Sequence, residues 1–402
     1  MSRLKAGNDS PRITELDGLR AVAILMVIAF HSWFFLINSL PSFQAFEVFS
    51  NSLPGGFGFI RRGDAGVDIF FTLSGFLLSW QLFSEKSAGP TLNFRRFYMR
   101  RVFRIYPLYL FVLGLVAIRG GGGVGMLGNI FAYNIWFHPT GIVLPWSWSL
   151  SAEIEFYAIV PLLILWVRNG RDVVIVVTLF ALGSIGWSCW TLAAYPALGG
   201  HSLIDLAIGD RRDDVFRYLQ NVYVAMPIRI SQFMLGLAAA WVAVEWKSRA
   251  FSMSGIVYAS IVILVICGAL APLAYNPYSH LENPDKPFLF LDFLFGRLLF
   301  STSVAMTILM MRIGRFSMLK TFLSLRFLEP VARFSFSMYL FHPLFVYLGI
   351  AAVVGAEKVN AISVFQYLGI FGIGLGGAMS TGFLTWYLLE RPAIRIGRHW
   401  FG

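Results

Sequence analysis

Eight ionisable side chains fall within or at the ends of long apolar runs: Arg20, His31, Asp68, Glu153, Glu155, Arg229, Arg297 and His342. In a hydrocarbon interior such groups face a cavity or a partner. Arg20 and His31 are eleven residues apart. At about 100° per residue the helix has then turned about 20° past three full circles, so both project from one face, about 16 Å apart along the axis. Asp17 lies near that face. A guanidinium at a mouth and an imidazole deep inside describe an anion-binding entrance with a reactive interior. An imidazole titrates near neutral pH, so it can take a proton from a hydroxyl or attack a carbonyl itself. The pair alone also fits a histidine hydrogen-bonded in a helix interface beside an arginine that snorkels to headgroups.

Four further clusters extend this pattern. Asp68 opens an apolar segment, where it either complements the helix dipole or orients a neighbouring imidazole. Arg101 and Arg104 share one helical face and can clamp phosphates, within a basic loop that otherwise suits lipid headgroups. Glu153 and Glu155 follow Trp146 and Trp148, but on a regular helix they point about 200° apart, so only one can face a given pocket. His342 precedes Pro343, which removes a backbone donor and frees a carbonyl, an arrangement tolerated in a membrane only where it is buried or lines a cavity.

Positioning these side chains requires a membrane bundle. Of 402 residues 57% are apolar and 13% charged, against roughly 45–50% and about 25% in soluble domains. The mean hydropathy is +0.69. Soluble enzymes, disordered chains and disulfide-stapled domains are excluded, and Cys189 and Cys267 both sit in apolar runs. A bilayer crossing needs about 20 apolar residues. Ten such spans are expected at Leu16–Ile37, Gly66–Phe83, Ile105–Ile118, Leu150–Val167, Val173–Tyr195, Val222–Val244, Ser254–Tyr275, Leu291–Met311, Val331–Val354 and Ser363–Leu389. The segment 124–137 is too short to cross and is expected to be re-entrant or interfacial. If it does not cross, Lys and Arg fall 22 to 8 in favour of the N-terminal side; if it does, they fall 15 to 15. The positive-inside rule selects the first arrangement and places both termini in the cytoplasm. The expected fold is thus an all-α membrane protein of about ten transmembrane helices, forming a single domain over residues 1–402 with no fused extracytoplasmic domain.

Other chemistries lack their signatures. There is no G-x-S-x-G elbow and no Walker A motif. His138, His201, His280 and His399 are scattered without metal-ligand spacing. The Gly120–Gly123 run and Gly125 formally match G-x-G-x-x-G but have no strand before them, and Gly372, Gly376 and their glycine neighbours are expected to serve close helix packing in the last span.

Six motifs in order resemble the bacterial membrane-bound acyltransferase family 3, whose members include O-acetyltransferases of surface polysaccharides. They are Glu15-Leu-Asp-Gly-Leu-Arg20 with His31, Gly66-Val-Asp through Phe76, Arg101-Val-Phe-Arg104-Ile-Tyr-Pro107, Trp148-Ser-Leu-Ser-Ala-Glu153, Ser335 to Pro343, and Glu390-Arg-Pro392. The resemblance implies acetyl-CoA or another acyl-CoA as donor substrate, no permanently bound cofactor, no metal, and a surface glycan or lipid-linked sugar as acceptor. It implies a multi-pass protein of the bacterial cytoplasmic (inner) membrane, with the lipid bilayer and no nucleic acid among its partners. It assigns the essential Arg and His to Arg20 and His31 and the Arg-x-x-Arg pair to Arg101 and Arg104, which would hold the CoA phosphates. It assigns the carboxylate to Glu153, where a frequent pattern has two adjacent glutamates and this chain has Ile154 in the second place. Asp68 or Glu153 would orient the imidazole, and His342 would line the channel or stabilise an oxyanion. The rival expectation is a proton-coupled transporter or exporter of a small molecule or glycolipid, since intramembrane His, Asp, Glu and Arg also serve proton relays.

Overall fold

The computed structural model describes residues 13–89, 92–120, 124–136, 143–199, 206, 211–248, 253–274, 291–355 and 357–401. The described residues contain helices and no strand. Ten long helices form the bundle: α1 (Thr14–Phe34), α3 (Ala65–Ala88), α4 (Phe94–Ile118), α6 (Trp148–Trp166), α7 (Gly170–Ala194), α9 (Met226–Ser248), α10 (Gly255–Ala274), α11 (Arg297–Arg312), α13 (Leu328–Val353) and α14 (Val364–Thr385). Shorter helices join them: α2 (Phe43–Ser52), α5 (Val124–Ile130), α8 (Arg212–Tyr218), α12 (Ser317–Leu323) and α15 (Arg391–Phe401). Nine described segments are long and apolar enough to cross a membrane, and the tenth, Gly255–Leu270 in α10, is a shorter apolar helix. The chain is an all-α multi-pass membrane protein.

Helix α5 has seven residues, a rise of about 10 Å against a hydrocarbon core of about 30 Å. It stays at one end, where Asn129 Nδ2 donates to Ser147 Oγ at 2.7 Å and Tyr109 OH donates to the Asn129 carbonyl at 3.2 Å. Residue 137, glycines 121–123, His138, His201 and His280 lie outside the described residues.

Capping residues start several helices. Asn93 accepts from the Arg96 amide at 2.9 Å to open α4, Asn169 and Asp172 form a capping box on α7, and Ser363 and Gln366 form another on α14; each satisfies amides that have no intrahelical partner.

At the centre, α1 packs between α3 and α13; α3 pairs with α9, and α13 with α14. Small residues allow these approaches. A methyl at Gly75 would strike the Phe233 backbone, and one at Gly236 would strike the Thr72 carbonyl, so α3 and α9 cross through reciprocal glycines. Gly372 and Gly376 have open space where a side chain would stand. Of the expected glycines it is the neighbours Gly374 and Gly377, together with Gly382, that make the seam with α13, abutting Val346, Phe345 and Phe334. A helix that carries glycines on several faces does not reveal from spacing alone which face is packed.

The helix ends define two sides. At the basic end Glu15 bonds Arg312, Arg101 bonds Gln81 and Arg96 bonds the Phe401 carbonyl. At the opposite end stand α2, Asp64, Tyr223 and Asp292, and the Val359 amide donates to the Ser39 carbonyl at 3.0 Å.

Candidate active site

A cleft enters from the basic end and is lined by α1, α3, α4, α6 and α13. Arg20 stands in its wall, with Nη1 3.1 Å from Asp17 Oδ1 one turn earlier. Arg104 joins it from α4, exposed at the mouth. Arg101, one turn before, is held back: Nη2 donates to Gln81 Oε1 at 3.0 Å, and its guanidinium lies 4.9 Å from the Phe97 ring and 6.0 Å from that of Tyr157. The structure thus puts Arg20 and Arg104 on the cleft and Arg101 behind them.

Glu153 reaches the same cleft from α6. Its Oε1 accepts from Ser74 Oγ at 2.6 Å and from Tyr157 OH at 2.5 Å, so α3 and the next turn of α6 fix the carboxylate. Glu155 points elsewhere and accepts from Trp136 Nε1 at 2.8 Å, in line with the angular separation of the two glutamates. Further in stands Tyr339. Its hydroxyl lies 2.7 Å from Ser149 Oγ and donates to the Trp146 carbonyl, tying α13 to the start of α6.

His31 and His342 do not line the cleft; they meet just beyond it. His342 Nε2 lies 3.2 Å from His31 Nδ1, and the ring centroids are 4.8 Å apart. Tyr339 leads to this pair, its ring 5.9 Å from that of His342. Pro343 has no amide proton to give the carbonyl four residues back, which is that of Tyr339. The side chain of His342 takes its place: Nδ1 lies 2.7 Å from Tyr339 O. Helix α13 therefore runs unbroken through Pro343, and the carbonyl that the proline frees sets the histidine.

These contacts determine the tautomers. A carbonyl only accepts, so His342 Nδ1 carries its proton and Nε2 presents a lone pair to His31. His31 Nδ1 lies 2.9 Å from Val27 O, so it too is protonated and faces two acceptors, Val27 O and His342 Nε2. The lone pair of His31 is then on Nε2, which has no hydrogen-bond partner among the described residues. A neutral imidazole with an unengaged Nε2 and a second imidazole behind its Nδ1 is equipped to act as base or nucleophile.

Asp68 has other partners. Its Oδ1 accepts from Arg229 Nη1 at 2.5 Å and its Oδ2 from Arg297 Nη1 at 2.8 Å. Neither imidazole bonds to it. The residues that composition and spacing did not single out are Ser74, Tyr157, Tyr339 and Asp64. Two carried a signal: Tyr157 is four residues after Glu153 and Asp64 four before Asp68, the spacing of helical neighbours. Among the described residues no group of three or more His, Cys, Asp or Glu could hold a metal ion.

A family model described as an acyltransferase domain matches residues 13–387. The chain is 24% identical to the membrane-bound transacylase BcsY of Komagataeibacter xylinus, over 95% of this chain and 83% of that one. It is 24% identical to the peptidoglycan O-acetyltransferase OatA of Listeria monocytogenes, over 82% of this chain, and spans about half of that protein, 49%. It is 28% identical to the O-acetyltransferase OatA of Staphylococcus aureus, over 43% of this chain and 29% of that one. No solved structure matches it. With its motifs in order along the bundle and the match running from the start of α1 to the end of α14, the chain belongs to the membrane-bound acyltransferase family 3.

Proposed function

We propose that the protein is an O-acyltransferase that moves an acyl group, in the simplest case acetyl, from acyl-CoA to a hydroxyl of a cell-surface glycan or lipid-linked sugar. The observation that carries this reading is the His31–His342 pair beyond a cleft whose mouth holds Arg20 and Arg104. The positive-inside asymmetry supports a cytoplasmic basic end, so the cleft faces the side where CoA thioesters are made.

Arg20 and Arg104 bind the CoA phosphates through charge-assisted hydrogen bonds, with Arg101 adding positive potential behind them. The acyl arm passes Glu153 and Tyr339 toward His31. In one route His31 Nε2 takes the acceptor hydroxyl proton as the oxygen attacks the thioester; the C–O bond forms and the C–S bond breaks. In the other Nε2 itself attacks, the thiolate leaves, and the Nδ1 proton shifts to His342 Nε2 until the acceptor oxygen takes the acyl group. The hydroxyl proton ends on the CoA thiol in both. Acyl-CoA is consumed at each turnover, and neither route calls for a metal or a resident cofactor.

Inside-out membrane vesicles given acetyl-CoA labelled in the acetyl group test the proposal. Label on a glycan or lipid is expected with the wild type and not with His31→Ala folded to the same yield. Equal labelling by the two proteins would overturn it.

A further inference from the structure

The cleft that enters from the basic end does not include His31 in its wall, yet part of the His31 side chain is at the surface, while His342 is wholly buried. The exposed part of His31 therefore opens away from the cleft. The next turn of the chain marks where. The Phe35 ring lies 5.1 Å from that of His31 and stacks on Tyr347 of α13, with centroids 4.7 Å apart. Phe35 is itself partly exposed, and Leu344, Tyr347 and Leu348 are 51%, 47% and 51% exposed. Both segments are long and apolar enough to cross a membrane, so the side chains they turn outward meet acyl chains rather than water.

Depth adds a second constraint. At 1.5 Å per residue, His31 stands about 25 Å from Thr14 at the basic end of α1 and about 5 Å from Phe34 at the other end. The chain continues in a 3-10 turn, Phe35–Asn38, whose last residue is exposed. The open edge of the imidazole is thus in the leaflet opposite the basic end, just below its headgroups. Its Nε2 is the nitrogen that no hydrogen bond engages among the described residues.

We infer that the acceptor is a lipid-anchored sugar that reaches His31 sideways out of that leaflet, over the Phe35–Tyr347 edge between α1 and α13. A sugar polymer arriving from water would shed its hydration along a rim of apolar and aromatic side chains that offer few hydrogen bonds in exchange, which is costly. A sugar carried on a lipid already has its anchor among acyl chains, against Leu344 and Leu348, and its first ring at headgroup level, close above His31. Tyr347 suits that boundary, with an apolar ring and a hydroxyl that can bond a sugar. Donor and acceptor then meet at the imidazole from opposite sides, the thioester along the cleft past Tyr339 and the hydroxyl from the bilayer. CoA and the acylated lipid leave by the routes on which they came. The inference rests on the acyltransferase reading for the word acceptor and on the exposure of His31 for the route.

The test uses full-length protein in phospholipid nanodiscs with acetyl-CoA labelled in the acetyl group. Glycolipids extracted from the envelope of the source organism are supplied either intact or with their sugars cut from the anchors. Intact glycolipids are expected to take up label at least ten times faster than the freed sugars. A second readout needs no turnover. Protein with Cys189→Ser, Cys267→Ser and Tyr347→Cys carries one thiol on the rim, and intact glycolipids are expected to slow its reaction with an alkyl methanethiosulfonate at least tenfold, while freed sugars and acetyl-CoA leave it unchanged. Once attached, the alkyl group is expected to cut acetyl transfer at least tenfold with the KM for acetyl-CoA within twofold, and a reducing agent to restore it. Freed sugars labelled as fast as intact glycolipids, or a thiol that the glycolipids do not protect, would overturn the route. Protection of the thiol without any acetyl transfer by the wild type would keep the rim as a glycolipid site and defeat the acyltransferase reading instead.

Discussion

At the scale of single residues, the proposed chemistry rests on where two imidazoles keep their protons. His342 owes its tautomer to Pro343. Pro343→Ala returns an amide proton to compete for Tyr339 O, so the expected outcome is a helix stabilised by up to about 3 kcal/mol and a transfer rate down about tenfold. Thermal unfolding and the vesicle assay read the two effects with opposite signs; a more stable protein of unchanged activity would remove the carbonyl from the mechanism. His342→Gln is expected to lower kcat by roughly a hundredfold, the size of a general acid–base contribution, with KM for acyl-CoA unchanged. Arg104→Ala should do the reverse. Losing a charged hydrogen bond of about 1.5–3 kcal/mol raises the donor KM about ten- to a hundredfold and leaves kcat nearly intact, as steady-state kinetics over a range of acetyl-CoA would show.

At the scale of elements, glycines separate contacts from spacing. Gly236 has the Thr72 carbonyl where a Cβ would go, whereas Gly376 has nothing within 4 Å. Gly236→Ala should therefore force α3 and α9 apart and lower the unfolding temperature and the yield. Gly376→Ala should be neutral, or stabilising by up to about 1 kcal/mol through helix propensity. Size-exclusion profiles and melting curves of the two variants decide this, and equal destabilisation would mean that the lipid-facing side of α14 is itself packed. That Gly372 and Gly376 lie outside the seam was not legible in the sequence, because α14 offers glycines at 372, 374, 376 and 377 and only the partner helix selects among them.

At the scale of the whole molecule, the Asp64, Asp68, Arg229 and Arg297 network ties α3 to α9 and α11. Asp68→Ala leaves Arg229, which is wholly buried, without its counter-ion. Breaking a buried pair in this way costs about 3–5 kcal/mol. The expected result is a sharp drop in folded yield and melting temperature, with no selective effect on kcat in the protein that survives. An Asp68→Ala protein of wild-type stability and lowered kcat would give that carboxylate a part in the chemistry.

The sequence alone determined the solvent, the spans and the candidates. A chain that is 57% apolar has to fold in a bilayer, ordered apolar runs locate the helices, and the short stretch after Ile118 is too brief to cross. The angular arithmetic that separates Glu153 from Glu155 needs only helical periodicity, and it agrees with the bonds that each one makes. Pairing across helices was decided only by the tertiary structure. His31 and His342 are 311 residues apart, and Arg229 and Asp68 are 161 apart; no local rule reports which distant faces meet. Asp68 and Arg101 show the consequence. Their types and positions are compatible with a site, but a neighbour from another part of the chain already holds each one: Arg229 and Arg297 for Asp68, and Gln81 for Arg101. A side chain's chemistry is written in its residue type, while its availability depends on the partners that packing brings within hydrogen-bond reach.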